Sequence, residues 1–535
     1  MSPLQIEPPA YSVGRPVEGW PGGSVEAVRT THREIISEMN ALAIGPRPAR
    51  ANQGNTSLLR WNLGRCFANR NLPRAPLISV LPELRVLVVG CSMTQGFMNC
   101  GSKDVSKQCT IPCDPMAWYR VLERRLQRGL PGCNIKMFRT TSRGGRTVTT
   151  AQRYETRVRR AAKNPHVIIT DLTVCDLRGI TSSLDEMRVR AGWETLIRRV
   201  LTEETAPALV QMESWSSFSP MGPCITNKTE AHKLHLPLAV RYGVPVASFM
   251  LGVCSHRPDV AQLTHWRGGC SATASTCGGR LGVRGLNDPG LECEPHPGPH
   301  THHVYALILA ELMLGEAKRM MMSTSRNTDR GGEAALVPLP SRPAPLDAAA
   351  MPTVMPASAL ADMSGCHAHH GVSNPLATLD FAEGSCGKPV HHVSWRCYED
   401  RPGKRGWISE DDAINTVVGT WASTGGTNVG SPLTFSMPLG SSKLPLSGSK
   451  LTVAYLRSYD TRMGAAKVWL DDDDTMGVVL NGSWASRTSQ TDIQSIRMSG
   501  LCGESCRVRR GDAKHRVHVQ RISGRKFKLL LLEVC

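Results

Sequence analysis

The stretch "VLVVGCSMTQG" spans residues 86–96 and decides the fold prediction. Its apolar run, 86–89, ends at Gly90, and Ser92 follows two positions later. A continuous apolar run of this kind is typical of a strand buried on both faces of a parallel sheet. Open α/β sheets bind their ligands at the carboxyl ends of such strands. Ser92 is therefore a candidate nucleophile, and the alternative is an ordinary residue in a strand-to-helix turn.

Strand and helix patterns alternate along the chain on both sides of this stretch. Apolar strands are predicted over 84–90, 165–173, 207–215 and 244–251, and helices over 114–132, 193–204, 228–243 and 302–321. Buried strands that alternate with helices indicate a mostly parallel sheet with helices on both faces. The prediction is an α/β fold with a doubly wound, flavodoxin-like sheet.

The texture of the sequence changes on either side of this region, which predicts four segments. Residues 1–80 form an N-terminal extension, and residues 81–322 form the α/β domain. Residues 323–380 are rich in Pro, Ala and Ser, and are predicted as a linker. Residues 381–535 hold short β-rich runs separated by Gly, Ser, Asn and Asp, as in an all-β sandwich or jelly roll.

The chain of 535 residues carries a formal charge of +18. That charge suits nucleic acid or an acidic polysaccharide. The basic residues are scattered, and neither zinc-finger spacing nor an RNA-binding aromatic signature accompanies them, so nucleic acid is not a predicted partner. No stretch approaches the roughly 18 uncharged apolar residues of a membrane span, so no transmembrane segment is expected.

Eighteen cysteines and three glycosylation sequons, at Asn55, Asn227 and Asn481, favour an oxidising compartment. We therefore expect a secreted protein, or one in the lumen of the secretory pathway or at the cell surface. The first twenty residues contain no apolar signal-peptide core. An incomplete start, unconventional secretion and thiols kept reduced inside the cell remain the alternatives.

Four short blocks follow one another along the predicted α/β domain. They are Gly90-Cys91-Ser92 closing at Gly96, "TSRGGRTVTT" (141–150) with Gly145, "VIITDLTVCDLRG" (167–179) with Cys175 and Asp176, and "CEPHPGPHTHH" (293–303) with His296-Pro297. In this order they resemble the blocks of the SGNH (GDSL-type) hydrolases. That family contains esterases and deacylases on a doubly wound α/β sheet.

The resemblance implies a role for each matching residue. Ser92 stands in the place of the nucleophile, and its backbone N–H in the place of an oxyanion donor. Gly145 occupies the position of a second backbone donor, and Cys175 that of an asparagine whose amide donates to the oxyanion. His296 matches the histidine that acts as base and then as acid.

Three cysteines replace the family's usual side chains in these blocks. Cys91 stands where the family has the Asp of Gly-Asp-Ser, and Cys175 stands where it has an asparagine. Cys293 stands where an acid orients the histidine, and Glu292, Glu294, Asp288 or a backbone carbonyl could take over that task. We interpret these cysteines as buried small hydrophobes or disulfide partners rather than thiol nucleophiles.

The sequence thus predicts a serine ester hydrolase acting on acyl (acetyl) esters of glycans or cell-wall material. The alternatives are a catalytically degenerate glycan-binding or structural protein on the same fold, and an acyltransferase using Ser92. No cofactor is predicted. No metal site is predicted either, because the histidines at 296, 300, 302 and 303 lack acid or thiolate partners at ligand spacing.

Overall fold

The structure is a computed structural model. It describes residues 54–68, 81–94, 117–142, 145–177, 180, 182–214, 230–249, 299–325, 353–363, 377–382, 386–400, 405–410, 430–438, 449–484, 489–501 and 514–534.

A parallel sheet of five strands organises the first half of the chain. The strands are β1 (Glu83–Cys91), β2 (Asn134–Ser142), β3 (Val167–Asp171), β4 (Ala208–Glu213) and β5 (Val246–Ser248), in the spatial order β2-β1-β3-β4-β5. Every neighbouring pair is parallel. This is the flavodoxin-like order, so the predicted doubly wound α/β fold is confirmed.

Helices cover both faces of this sheet. They are α1 (Gly54–Ala68), α2 (Trp118–Gly129), α3 (Thr147–Gln152), α4 (Thr173–Leu177), α5 (Ser183–Leu201), α6 (Glu230–Arg241) and α7 (Pro299–Ser325), and a π-helical turn spans Tyr154–Arg159. Because strand side chains alternate between faces, Val86 and Val88 pack with α1, α2 and α7. Leu87 and Val89 pack on the opposite face with α3, α5 and α6.

Two further elements come from segments predicted as extension and linker. Helix α1 contributes buried leucines to the core beneath α7. Helix α8 (Ala357–Met363) begins just after Val354 and Met355, whose N–H groups donate to the carboxylate of Glu194 over 2.8 and 2.7 Å. The domain boundaries stay predictions, because residues 326–352 and 364–376 lie outside the described residues.

The C-terminal part is a sandwich of two antiparallel sheets. Its strands are β6 (Ala377–Asp380), β7 (Arg396–Glu399), β8 (Arg405–Glu410), β9 (Leu433–Pro438), β10 (Lys450–Arg457), β11 (Ala465–Leu470), β12 (Asp473–Asn481), β13 (Gln490–Arg497), β14 (Lys514–Arg521) and β15 (Lys526–Val534). One sheet holds β13, β10, β15, β8 and β7 in that order, with β6 also pairing with β15, and the other holds β12, β11, β14 and β9. Side chains of both sheets share one core, so the predicted all-β domain is confirmed.

Charged side chains join the α/β domain to the β-domain. Arg153 forms an ion pair with Asp380, and Arg188 donates from Nη2 to the carbonyl oxygen of Ile493 over 3.0 Å.

Glu533 on β15 is 1% exposed, and Thr378 donates to its Oε1 over 3.3 Å. Burial raises the pKa of the Glu533 carboxyl to about 7, against the attraction of Arg153.

The environment of Asn55 corrects one of the three glycosylation predictions. Its side chain is buried in α1, where Nδ2 donates to the carbonyl of Leu209 over 2.8 Å and Oδ1 accepts from the N–H of Leu209 over 2.8 Å. A glycan on that nitrogen cannot coexist with this packing. Asn481 is exposed at the end of β12 and stays a predicted site, whereas Asn227 lies outside the described residues.

Three disulfides join cysteines of the described residues: Cys66–Cys133, Cys91–Cys175 and Cys386–Cys397. The interpretation of Cys91 and Cys175 as disulfide partners is therefore confirmed. Within the described ranges, no helix is both long enough and apolar enough to cross a membrane.

Candidate active site

Ser92 lies in a tight turn at the carboxyl end of β1, and its side chain is half-buried. The N–H of Thr94 donates to the carbonyl of Cys91 over 3.1 Å, which folds the chain back immediately after the strand. A Cβ on Gly90 would overlap the side chain of Thr94. Glycine is therefore required before the turn, since only it lets Thr94 approach the strand so closely.

A buried carboxylate holds this turn in place. Asp171, the last residue of β3, is 1% exposed. Its Oδ2 accepts from Thr94 Oγ1 over 2.8 Å and from Trp118 Nε1 over 3.0 Å, and its Oδ1 accepts from Ser214 Oγ over 2.5 Å. Burial raises the pKa of the Asp171 carboxyl, and these three hydrogen bonds oppose the rise. We call these four residues the Asp171 network.

The Asp171 network links the Ser92 turn to the start of a helix and to the residue that follows another strand. Trp118 begins α2, and Ser214 directly follows β4. None of these four residues was predicted from the sequence as part of the site. An aspartate at the end of the strand run 167–170 could have indicated a polar contact at this end of the sheet. A carboxylate there must find donors, because an unpaired buried charge is costly.

The Cys91–Cys175 disulfide joins the residue before Ser92 to helix α4. The family resemblance places Cys175 at the position of an oxyanion donor. As a half-cystine it has no S–H hydrogen, so its side chain cannot donate. Two backbone groups, the N–H of Ser92 and the N–H of Gly145, are left as the predicted oxyanion donors.

Gly145 is buried and lies two residues before the start of α3. The next residue, Arg146, donates its N–H to Thr149 Oγ1 over 2.9 Å, and Thr149 Oγ1 donates to the carbonyl of Arg146 over 2.8 Å. The hydroxyl of Thr149 thus binds both backbone groups of Arg146 and fixes the start of α3. Because β1 and β2 are adjacent parallel strands, Gly145 and Ser92 follow strand ends at the same edge of the sheet.

A buried row of Thr173, His235 and Asp176 contacts the first residue of α3, the helix that follows Gly145. His235 on α6 contacts Thr173 Oγ1 through Nδ1 over 3.3 Å and Asp176 Oδ2 through Nε2 over 3.1 Å. The residue types match those of a nucleophilic triad. The three side chains are at most 2% exposed, so the row is closed to substrate and acts as a structural network.

The predicted histidine and its partners are not placed. His296, Glu292, Cys293, Glu294 and Asp288 lie outside the described residues, and so does Gly96. Helix α7, which follows His296, is described from Pro299. Near its start, His302 Nδ1 accepts from the N–H of Trp118 over 3.3 Å, and the indole of Trp118 belongs to the Asp171 network. The beginning of α7 and the Ser92 turn therefore both contact Trp118, which is buried.

Comparison with known proteins yields similar structures but no similar sequence family. No protein-family model matches the chain, and no curated protein does. A two-domain esterase active on acetylated mannans, solved with mannopentaose, is 13% identical and covers 92% of this chain and 97% of its own, with a TM-score of 0.44. A second structure of that esterase covers 85% and 91% at 13% identity, with a TM-score of 0.43.

A GDSL-like lipase described as putative, from Parabacteroides merdae, is 14% identical and covers 44% of this chain and 97% of its own, with a TM-score of 0.30. These are likenesses of fold alone. What the present chain does has to be argued from its own residues.

Proposed function

We propose that the α/β domain is a serine ester hydrolase with Ser92 as its nucleophile. The observation that carries the proposal is the setting of Ser92. It is half-buried at the carboxyl end of a central parallel strand, in a turn held by the Asp171 network. This is the edge where doubly wound sheets bind ligands, and a nucleophile has to be held rigidly to react efficiently.

The proposed reaction proceeds through an acyl-enzyme. Ser92 Oγ attacks the acyl carbonyl while His296 takes the hydroxyl proton. The carbonyl oxygen becomes an oxyanion, which accepts hydrogen bonds from the N–H groups of Ser92 and Gly145. Its collapse breaks the bond to the alcohol, which leaves with the proton from His296. Water then attacks the acyl-Ser92 ester by the same steps in reverse, releasing the acid. In the proposal Glu294, Glu292, Asp288 or a backbone carbonyl orients His296.

The proposed substrates are acyl (acetyl) esters of glycans or cell-wall material. The +18 charge suits an acidic polysaccharide, and the disulfides suit the oxidising compartments where such glycans lie. On the same grounds we propose that the protein is secreted, lumenal or at the cell surface.

The test uses the full chain and a fluorophosphonate, which labels activated serines covalently. We expect labelling of wild type at Ser92, confirmed by peptide mass spectrometry, and none in Ser92→Ala. Ser183→Ala, which removes an exposed serine at the start of α5, is the matched control and should label like wild type. Acetate release from p-nitrophenyl acetate and from an acetylated mannan is measured in parallel. Equal rates in wild type and Ser92→Ala would end the proposal.

One observation favours a second candidate, a glycan-binding protein with a degenerate site. The half-cystine at 175 has replaced a donor side chain, and loss of one oxyanion donor costs roughly 10²–10³ in rate. Glycan binding without serine labelling or acetate release supports this candidate. Appearance of an acylated acceptor sugar in place of free acid identifies an acyltransferase instead.

A further inference from the structure

Asp176 is a buried carboxylate that accepts two hydrogen bonds from Thr147, close to the predicted oxyanion donor Gly145. Its Oδ1 accepts from the N–H of Thr147 over 2.9 Å, and its Oδ2 accepts a short hydrogen bond from Thr147 Oγ1. The side chains of Asp176 and Thr147 are both fully buried. Because water cannot replace these bonds, they determine where the first residue of α3 lies.

His235 completes the surroundings of Asp176. His235 Nε2 lies 3.1 Å from Asp176 Oδ2, and its Nδ1 lies within hydrogen-bond distance of Thr173 Oγ1, at 3.3 Å. The Nε2 atom is not aligned to donate to the carboxylate, so the imidazole packs against Asp176 without a hydrogen bond to it. The guanidinium of Arg146 adds a positive charge, with its Nε 3.8 Å from Asp176 Oδ1. Asp176 is therefore packed against a side chain of α6 and against Arg146, the residue after Gly145.

Both predicted oxyanion donors depend on neighbouring residues of the same short helix. Cys175 is bonded covalently to Cys91, which precedes the N–H of Ser92. Asp176, the next residue, binds Thr147, two positions after the N–H of Gly145. Helix α4 therefore links the Ser92 turn to the segment that carries Gly145. The distance between the N–H groups of Ser92 and Gly145 decides whether both can donate to one oxygen atom.

We infer that Asp176 is a positioning residue, which holds the Gly145 N–H at the distance from Ser92 that an oxyanion requires. This inference rests on the proposed function. A displacement of about 1 Å at such a position can cost roughly 10² in rate.

The experiment separates the hydroxyl hydrogen bond from the general stability of α3. Thr147→Val keeps the shape of the side chain and removes its bond to Asp176, whereas Thr147→Ser retains the hydroxyl as the conservative rescue. Thr150→Val makes the same chemical change three residues along the same helix, where the side chain is also buried. Asp176→Asn weakens the network at its centre.

The readouts are the rate constant for fluorophosphonate labelling of Ser92, and kcat and KM for p-nitrophenyl acetate, with melting temperature recorded for each variant. We expect Thr147→Val to lower kcat and the labelling rate about 10-fold with KM within about twofold, because the lost contact acts on the transition state. Asp176→Asn should lower kcat by about 10- to 100-fold. Thr147→Ser should restore most of the loss, and Thr150→Val should stay close to wild type.

The inference is overturned if Thr147→Val and Thr150→Val have the same kcat at equal melting temperatures. It is also overturned if the losses only follow the fraction of unfolded protein. The threonine variants decide the matter even if Asp176→Asn fails to fold. A wild type whose Ser92 is neither labelled nor needed for turnover refutes the proposed function, and the inference with it. An active wild type with indifferent Thr147 variants refutes the inference alone.

Discussion

Replacing Cys91 and Cys175 together by alanine removes the crosslink beside the Ser92 turn, and the chain supplies a matched control for this change. Cys66 and Cys133 form a second disulfide in the same domain, away from Ser92. The two bonds span comparable lengths of chain, with sequence separations of 84 for Cys91–Cys175 and 67 for Cys66–Cys133. Their removal should therefore perturb the unfolded chain alike.

The expected loss of stability follows from loop closure. A crosslink lowers the entropy of the unfolded chain by an amount that grows with the logarithm of the loop length, which gives about 4.6 kcal/mol for the loop closed by Cys91–Cys175. The same relation gives about 4.4 kcal/mol for the loop closed by Cys66–Cys133. The two alanine pairs should thus lose similar free energies of unfolding.

Their effects on the site should differ. Without the Cys91–Cys175 bond, α4 is no longer held covalently to the strand end before Ser92, so the two predicted oxyanion donors lose their common tether. We expect fluorophosphonate labelling of Ser92 to slow by about 10- to 100-fold in this variant. The Cys66→Ala/Cys133→Ala control should label at the wild-type rate, once both rates are corrected for the folded fraction.

Unfolding is followed by urea titration, and labelling is measured at low temperature, where both variants have most folded protein. Equal labelling rates in the two folded variants would refute the assigned role of the Cys91–Cys175 bond. A difference of several kcal/mol between their unfolding free energies would refute the loop-closure reasoning. If only one pair folds, comparing its labelling rate with wild type still decides the role of the bond that it lacks.

Three further outcomes are expected. The pKa of Glu533 is about 7 in the native state and 4.5 in the unfolded chain, so the native state binds more protons between these pH values and the protein loses stability as pH rises through them. Glu533→Gln should therefore be more stable than wild type by up to about 3 kcal/mol at pH 8 and nearly equal to it at pH 4. Urea titrations at the two pH values measure this difference. When the protein is expressed through a secretory pathway, glycopeptide mass spectrometry should find a glycan at Asn481 and none at Asn55. A glycan at Asn55 would contradict the buried hydrogen bonds of that side-chain amide. Gly90→Ala should slow labelling at Ser92 by about 10-fold or more because its methyl group displaces Thr94, and an unchanged rate would show that the turn does not need this close approach.

Much of the fold could be predicted because its signals are local. Strands β1, β3 and β4 are continuous apolar runs, and their alternation with helices is sufficient to indicate a parallel sheet. Strand β2 was not predicted, since its sequence "NIKMFRTTS" mixes charged, polar and apolar residues. It lies at the edge of the sheet, where partial burial tolerates such a mixture. Helix α8 was not predicted, because the residues just before it are held by hydrogen bonds to Glu194, which is far away in the sequence.

The candidate site divides in the same way. Ser92 and Gly145 could be predicted as site residues from short motifs, because each follows a strand, and their roles stay predictions. The partners of Asp176 were not found, since Thr147 and His235 stand far from it in the chain and no periodicity connects them. Nor does the sequence indicate that Cys175 pairs with Cys91 among eighteen cysteines.

The amino-acid sequence by itself determined where strands end and which serine stands after the central one. The tertiary structure decided which side chains meet there. The pattern of apolar residues dictates burial along one segment at a time, and hence secondary structure and fold class. Disulfide pairing and the hydrogen bonds of Asp171 and Asp176 depend instead on the spatial order of strands and helices, which brings distant residues together.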